Sequence, residues 1–163
     1  MGIIDHYEAA MKIQDELNWI AHTKIRKFND PVLKQVATEC VPQTDPVRPI
    51  VAAMIGALDA SPIEGIGLAA PQIGVSKRII VIKIGGRWEA IINPEITWHT
   101  KKKVGGTEEC LSYPGVRRRV ARYSSIVVHG FNEQWQPVKF KLKKMTARCA
   151  QHEIDHLNGV TIG

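Results

Sequence analysis

His152, Glu153 and His156, within "QHEIDHLNG" (151–159), have the residue types and spacing of a hydrolytic metal centre. Residues four apart share one face of a helix, so two imidazoles can grip one ion while the carboxylate beside them takes a proton from water. In a chain with this many His and Glu the pattern is expected by chance only ~0.01 times. The segment after His156, "LNGVTIG", contains no ligand, so a third group must come from upstream.

Two upstream cysteines compete for that place. Cys149 sits three residues before His152 on the same face, but Cys149 to His156 rises about 10 Å along a helix, too far for bonds of roughly 2.0–2.3 Å to one ion. It reads as a buried wall residue. Cys110, expected in a loop before the Pro114-Gly115 turn, can approach the helix from elsewhere in the fold, and one Cys with two His leaves a position open for water. On these residues alone Cys110 serves equally well as a small buried apolar group. Cys40 reads as structural.

The elements that must position these residues follow from periodicity. Residues 3–20 predict an amphipathic helix, and residues 24–43 an irregular connector with a turn at Asp30-Pro31. A second helix begins where Asp45 can cap and Pro46 suits the first position, carries Val47, Val51, Met54, Ile55 and Leu58 on one stripe, and ends near 59–62. The glycine-rich "EGIGLAAPQIG" (64–74) precedes "IIVIKI" (79–84), a buried strand, which Gly85-Gly86 turns into "RWEAIINPEI". Strands are predicted at 124–131 and 138–143, and a final helix at 145–158 is stopped by Gly159. Residues 106–115 show turn chemistry and no helical pattern. Strands wrapped round a late helix make an α+β domain.

At 163 residues one domain is the default, with a core large enough to do without disulfides. Three irregularly spaced cysteines speak for a reducing compartment. The opening "MGIIDHYEAAMK" lacks a signal-peptide pattern, and no apolar run nears the roughly 18–20 residues of a membrane span, so the chain reads as soluble and cytoplasmic. The charge is +6, concentrated in Lys101–Lys103, Arg117–Arg119 and Lys139, Lys141, Lys143 and Lys144. Such runs are solvated faces or a surface for RNA or a ribosome. The four tryptophans read as core or surface plugs.

Three segments, "GIGLAAPQIG", "EECLS" and "QHEIDHLNG", resemble in order and separation the three signature motifs of peptide deformylases. The resemblance covers residues 24–162, within a single catalytic domain 1–163 whose residues 1–22 form an N-terminal helical extension. It implies antiparallel sheets around a central helix bearing the HExxH motif, and removal of the N-formyl group from the first methionine of nascent polypeptides, with release of formate. By similarity Cys110, His152 and His156 bind one divalent metal, natively Fe2+, with Zn2+, Ni2+ or Co2+ also suited. Glu153 is the general acid and base. The Gln72 side-chain amide and the Leu111 backbone N–H hold the formyl oxygen, Gly65, Ile66 and Gly67 run beside the peptide, and Cys149 lines the methionine pocket.

Two departures qualify the resemblance. The second motif usually has glycine before its cysteine, and here Glu109 stands there; if that position requires φ above zero, the side chain costs roughly 1 kcal/mol. It also sets a carboxylate beside the substrate path. Many bacterial members continue into a C-terminal helix that docks on the ribosome, whereas this chain resembles a minimal form, such as a phage or organelle enzyme. A monomer is expected, with transient ribosome contact through the basic runs. Asp155 has Arg122 as one candidate partner, a pairing that would steady the helix but that the sequence alone does not favour.

Overall fold

The computed structural model describes residues 23–163 together with Glu8, Met11 and Lys12. The helix expected over residues 3–20 otherwise lies outside the described residues. Two long helices, α1 (Val47–Ala60) and α2 (Lys144–Leu157), accompany seven strands: β1 (Gly67–Ala69), β2 (Ile79–Ile84), β3 (Arg87–His99), β4 (Lys103–Cys110), β5 (Tyr113–Tyr123), β6 (Ser125–Phe131) and β7 (Pro137–Lys143). Five of them form one antiparallel sheet in the order β1-β2-β3-β6-β7, and β4 and β5 form a separate hairpin.

The uninterrupted apolar run of β2 is explained by what covers it. Successive strand side chains point to opposite faces, so Ile79 and Val81 join one core with Val51, Met54 and Leu58 of α1, while Ile80 and Ile82 join another with Ala150, Ile154 and Leu157 of α2. A strand buried on both faces has no polar alternation to show. At the end of α2, Gly159 takes φ +72°, and a Cβ there would stand 2.5 Å from the Lys34 carbonyl oxygen, which is why glycine stops this helix.

Two expectations need correction. Asp45 does not cap α1: Pro46 occupies the cap position without a side-chain bond, and the Asp45 carboxylate accepts instead from the Val41 N–H at 2.7 Å. A carboxylate held by the loop before the helix cannot also reach the first turn. Residues 106–115 are not a loop but the tip of the β4-β5 hairpin, with Cys110 the last residue of β4 and Leu111-Ser112 its two-residue turn. Along β4 the one buried side chain is the charged Glu108, so hydrophobic alternation could not reveal the strand.

Ile82, fully buried where β2 meets α2, is a position where the fold should respond most to lost volume. Ile82→Ala should destabilise the protein by about 2–5 kcal/mol, read as a lower urea midpoint with an unchanged slope.

Candidate metal centre

The buried face of α2 carries His152, Glu153 and His156, and the hairpin delivers Cys110 against it. One donor atom from each of Cys110, His152 and His156 lies within 4.8 Å of the others, the one such metal-binding cluster among the described residues. The Cys110 sulfur is 3.4 Å from His156 Nε2. A sulfur and a nitrogen on one tetrahedral ion stand roughly 3.5 Å apart, so the cluster fits a metal with little movement. Cys149 is outside the cluster, as the helical rise requires. Burial chiefly, then the nearby Glu153 and Glu108 carboxylates, pushes its thiol well above the usual range, which suits a neutral wall residue.

Glu108 orders the site. Its buried carboxylate accepts from Arg122 Nε at 3.0 Å and Nη2 at 2.9 Å, from Arg148 Nη1 at 2.8 Å, and meets His152 Nδ1 at 2.9 Å. Burial works against its charge, but the bonds from Arg122, His152 and Arg148 outweigh it and hold the carboxyl well below the usual range. An ionised carboxylate only accepts, so His152 Nδ1 donates to it, and Nε2 is the nitrogen turned toward Cys110 and His156. Arg122 also reaches Asp155 at 2.5 Å, a pairing the sequence alone did not favour.

The pKa values around the cluster diverge for physical reasons. Burial, followed by the positive charges of His152 and Arg122, lowers His156 to about 3, leaving a neutral imidazole with a free lone pair. For His152 burial acts in the same direction, but bonds to Cys110 and Glu108 and the nearby Glu153 prevail and raise it to about 10. Three anionic or electron-rich neighbours thus demand a positive charge between them, which a divalent ion satisfies in place of a proton. Burial likewise pushes the Glu153 carboxyl up to about 7. Its Oε1 is 3.7 Å from His152 Nε2, and its buried Oε2 has no hydrogen-bond partner among the described residues.

Gln72 sits in the 3-10 turn Ala70–Ile73 and is buried. Its Oε1 accepts from the Ala69 N–H at 2.9 Å, which turns Nε2 toward Ser112 Oγ at 3.1 Å and the Cys110 sulfur at 3.5 Å. Gly67 brings β1 close to α2: a Cβ there would stand 2.5 Å from the Cys149 sulfur and 3.2 Å from Glu153 Cγ. Beside these groups opens a cavity of about 610 Å³, whose lining includes Gly65, Ile66, Gly67, Leu111, Cys149 and Glu153. Glu109 lies on its rim, exposed and paired with Arg117 at 3.2 Å. Its φ is not positive, so the strain considered for a side chain at this position does not arise.

Every site residue expected from the sequence except His156 lines this cavity, and His156 joins through the ligand cluster. The sequence reading missed Glu108, Ser112 and Arg148. The signal for Glu108 was its place two residues before Cys110, on the same face of a strand.

The antiparallel sheets, the two helices and a helix-borne His-Glu-x-x-His facing a cysteine define an α+β metallohydrolase of the HExxH class. The sequence profile described as polypeptide deformylase matches residues 22–163. A peptide deformylase of Natranaerobius thermophilus is 41% identical over 143 residues, 87% of this chain and 90% of that one. Among solved structures, the deformylase of the Vibrio parahaemolyticus bacteriophage VP16T in complex with actinonin superposes with a TM-score of 0.79 at 47% identity, over 85% of this chain and 99% of that one. The Acinetobacter baumannii enzyme with Met-Ala-Ser bound gives a TM-score of 0.77 at 28% identity, over 84% and 93%. The chain belongs to the polypeptide deformylase family, metal-dependent enzymes that remove the N-formyl group from nascent peptides.

Glu108→Ala would leave two arginines and an imidazole facing an empty carboxylate position. It should destabilise the protein by about 3–5 kcal/mol and weaken metal retention by about 10–100-fold, measured by urea unfolding and by competition with a chelator.

Proposed function

We propose that Cys110, His152 and His156 hold a single divalent metal and that Glu153 moves the proton as the formyl group of an N-terminal formyl-methionine is hydrolysed. The observation that carries this reading is the meeting of those three donors within 4.8 Å beside a buried carboxylate, one oxygen of which has no partner among the described residues. A bound metal supplies Lewis acidity, lowering the pKa of water from 15.7 toward ~7. Glu153 accepts the proton of the attacking water and returns it to the departing amine. Nearby positive charge favours its ionised form, countering the burial that raises it.

Gln72 is anchored through its oxygen, so its Nε2, which donates to Ser112 Oγ and the Cys110 sulfur, is the group placed to donate to the formyl oxygen as that oxygen becomes negative. The Leu111 backbone N–H, at the hairpin turn, is the second donor. Gly65, Ile66 and Gly67 flank the peptide, and the neutral Cys149 thiol forms part of the methionine pocket. The substrate is the formylated start of a nascent chain, met in the cytoplasm by a monomer with transient ribosome contact. One thiolate and two imidazoles accept iron, zinc, nickel or cobalt, and we assign Fe2+ as the native ion. Activity should then fall in air and survive replacement by nickel.

Formate release from formyl-Met-Ala-Ser by anaerobically purified protein tests the assignment. Glu153→Ala should keep its metal and lose turnover by a factor of about 10² or more, whereas Cys110→Ala should lose the metal itself. Turnover retained by Glu153→Ala would refute the proton role.

Glu109 and Glu64 outnumber Arg117 at the cavity rim, so a basic side chain following formyl-methionine is favoured there. Glu109→Lys should lower the ratio of kcat/KM for formyl-Met-Ala-Lys over formyl-Met-Ala-Glu by about two- to fivefold, as befits exposed charges. An unchanged ratio would remove Glu109 from the substrate path.

A further inference from the structure

The net charge is unevenly placed. No Asp or Glu occurs between Glu95 and Glu108, between Glu109 and Glu133, or between Glu133 and Glu153. Strand register gathers parts of these stretches on one face. Trp98 of β3 pairs with Val127 of β6, which pairs with Lys141 of β7, so the three form a single row. Lys139, Lys143 and His129 alternate onto the same face and are exposed, as is Trp98 at 54%. Glu95, paired with His129, is the acid in these rows. The core under α1 reaches this face through Ile92 and Phe131 but takes in none of these residues.

The neighbouring turn adds to the surface. Exposed Lys101, Lys102 and Lys103 follow Trp98, His99 and Thr100, and the Thr100 N–H bonds to the Ser125 carbonyl at 3.0 Å, which holds the turn against β6. His99 stacks on Tyr123 with ring centroids 3.7 Å apart, and the Lys103 ammonium stands 4.9 Å over the Tyr123 ring. Lysines along an edge strand also discourage pairing with another strand, but that purpose does not call for an exposed tryptophan in the same row. A membrane surface would require an apolar face to insert, and in its row Trp98 has the half-buried Val127 and then Lys141 beside it.

We propose that this open face, Trp98 with Lys139, Lys141 and Lys143, flanked by Lys101–Lys103, binds single-stranded RNA. The lysines follow the phosphates and Trp98 stacks a base. The choice of RNA over DNA rests on the proposed function, since an enzyme that meets nascent chains works beside ribosomal RNA. The binding geometry does not depend on it. Lys103 is seven residues along β4 from Cys110, roughly 23 Å, so this surface is separate from the metal centre.

The test is fluorescence anisotropy with a fluorescein-labelled 12-nucleotide single-stranded RNA of mixed sequence, repeated from 50 to 200 mM salt, with deformylation of formyl-Met-Ala-Ser measured on the same preparations. Combining Lys139→Gln, Lys141→Gln and Lys143→Gln should weaken binding at least tenfold and flatten the salt dependence by about 0.7 for each phosphate no longer neutralised. Trp98→Ala should weaken binding by about tenfold with the salt dependence unchanged. Deformylation should stay within twofold of the parent in both, which also shows that the variants fold. Absence of RNA binding at 50 mM salt, equal affinity in the variants, loss with the lysines but not with Trp98, tighter binding to single-stranded DNA of the same sequence, or binding to phosphatidylserine vesicles but not to RNA would each overturn the proposal. Because binding is read apart from turnover, its failure is distinct from a failure of the deformylase assignment.

Discussion

The carboxylate of Glu108 is the interaction on which the site depends. It takes four hydrogen bonds from three side chains on two elements outside its own strand, Arg122 of β5 and Arg148 and His152 of α2. Desolvating such a group costs several kcal/mol, and charge-assisted bonds of about 1.5–3 kcal/mol each return a similar amount, so the net stability is modest. What the arrangement secures is register. Glu108 and Cys110 lie two apart on β4 and face the same way, so the register that buries the carboxylate also presents the sulfur. A slip of one residue would turn both outward and place Glu109 against two arginines in a position its exposed side chain does not occupy.

The face of α2 that bears the donor cluster sets buried polar groups against local stability. Gln151, His152, Glu153 and His156 are buried polar residues on one helix. Gln151 is satisfied by acting as a strand partner: its Oε1 accepts from the Tyr123 N–H at 3.0 Å and its Nε2 donates to the Tyr123 carbonyl at 2.8 Å. Glu153 Oε2 and His156 Nδ1 have no such partners among the described residues. A buried oxygen without a donor is costly in a resting fold and useful in one that must take up a proton.

Much of this was legible in the sequence, and the limits were physical. α1, α2 and β7 carry apolar residues at the period of their own geometry, while β2, buried on both faces, shows as one unbroken apolar run and β3 and β6 as shorter ones, because each covers or crosses a core. The hairpin β4-β5 does not. Its faces are largely polar and its anchor is a charge, so a method that looks for buried apolar residues assigns its tip to a loop. The His-Glu-His set was visible because it lies within one helix, whereas the Arg122–Asp155 pair, which joins that helix to β5, was only a candidate. Glu108 was hidden by its neighbour: of two adjacent glutamates, the departure from the family pattern at Glu109 drew attention, while alternation in a strand buries the other. The mild backbone at Glu109 could not be read at all, because φ is a property of the hairpin path and not of the residue type.

The same helix is amphipathic twice over. Ala147, Ala150, Ile154 and Leu157 pack on the sheet, whereas Arg148, Gln151, His152 and Asp155, spaced i, i+3, i+4 and i+7, each bond to the hairpin. The first contact excludes water and is strong in proportion to area; the second is polar and directional, with the Glu108 bonds at its centre buried. The hairpin brings Cys110 to the site, whereas both histidines belong to α2. Opening it would carry Cys110 away and leave both histidines in place. An ion held by all three would tie the hairpin to the helix, so metal occupancy and hairpin closure are linked and each stabilises the other.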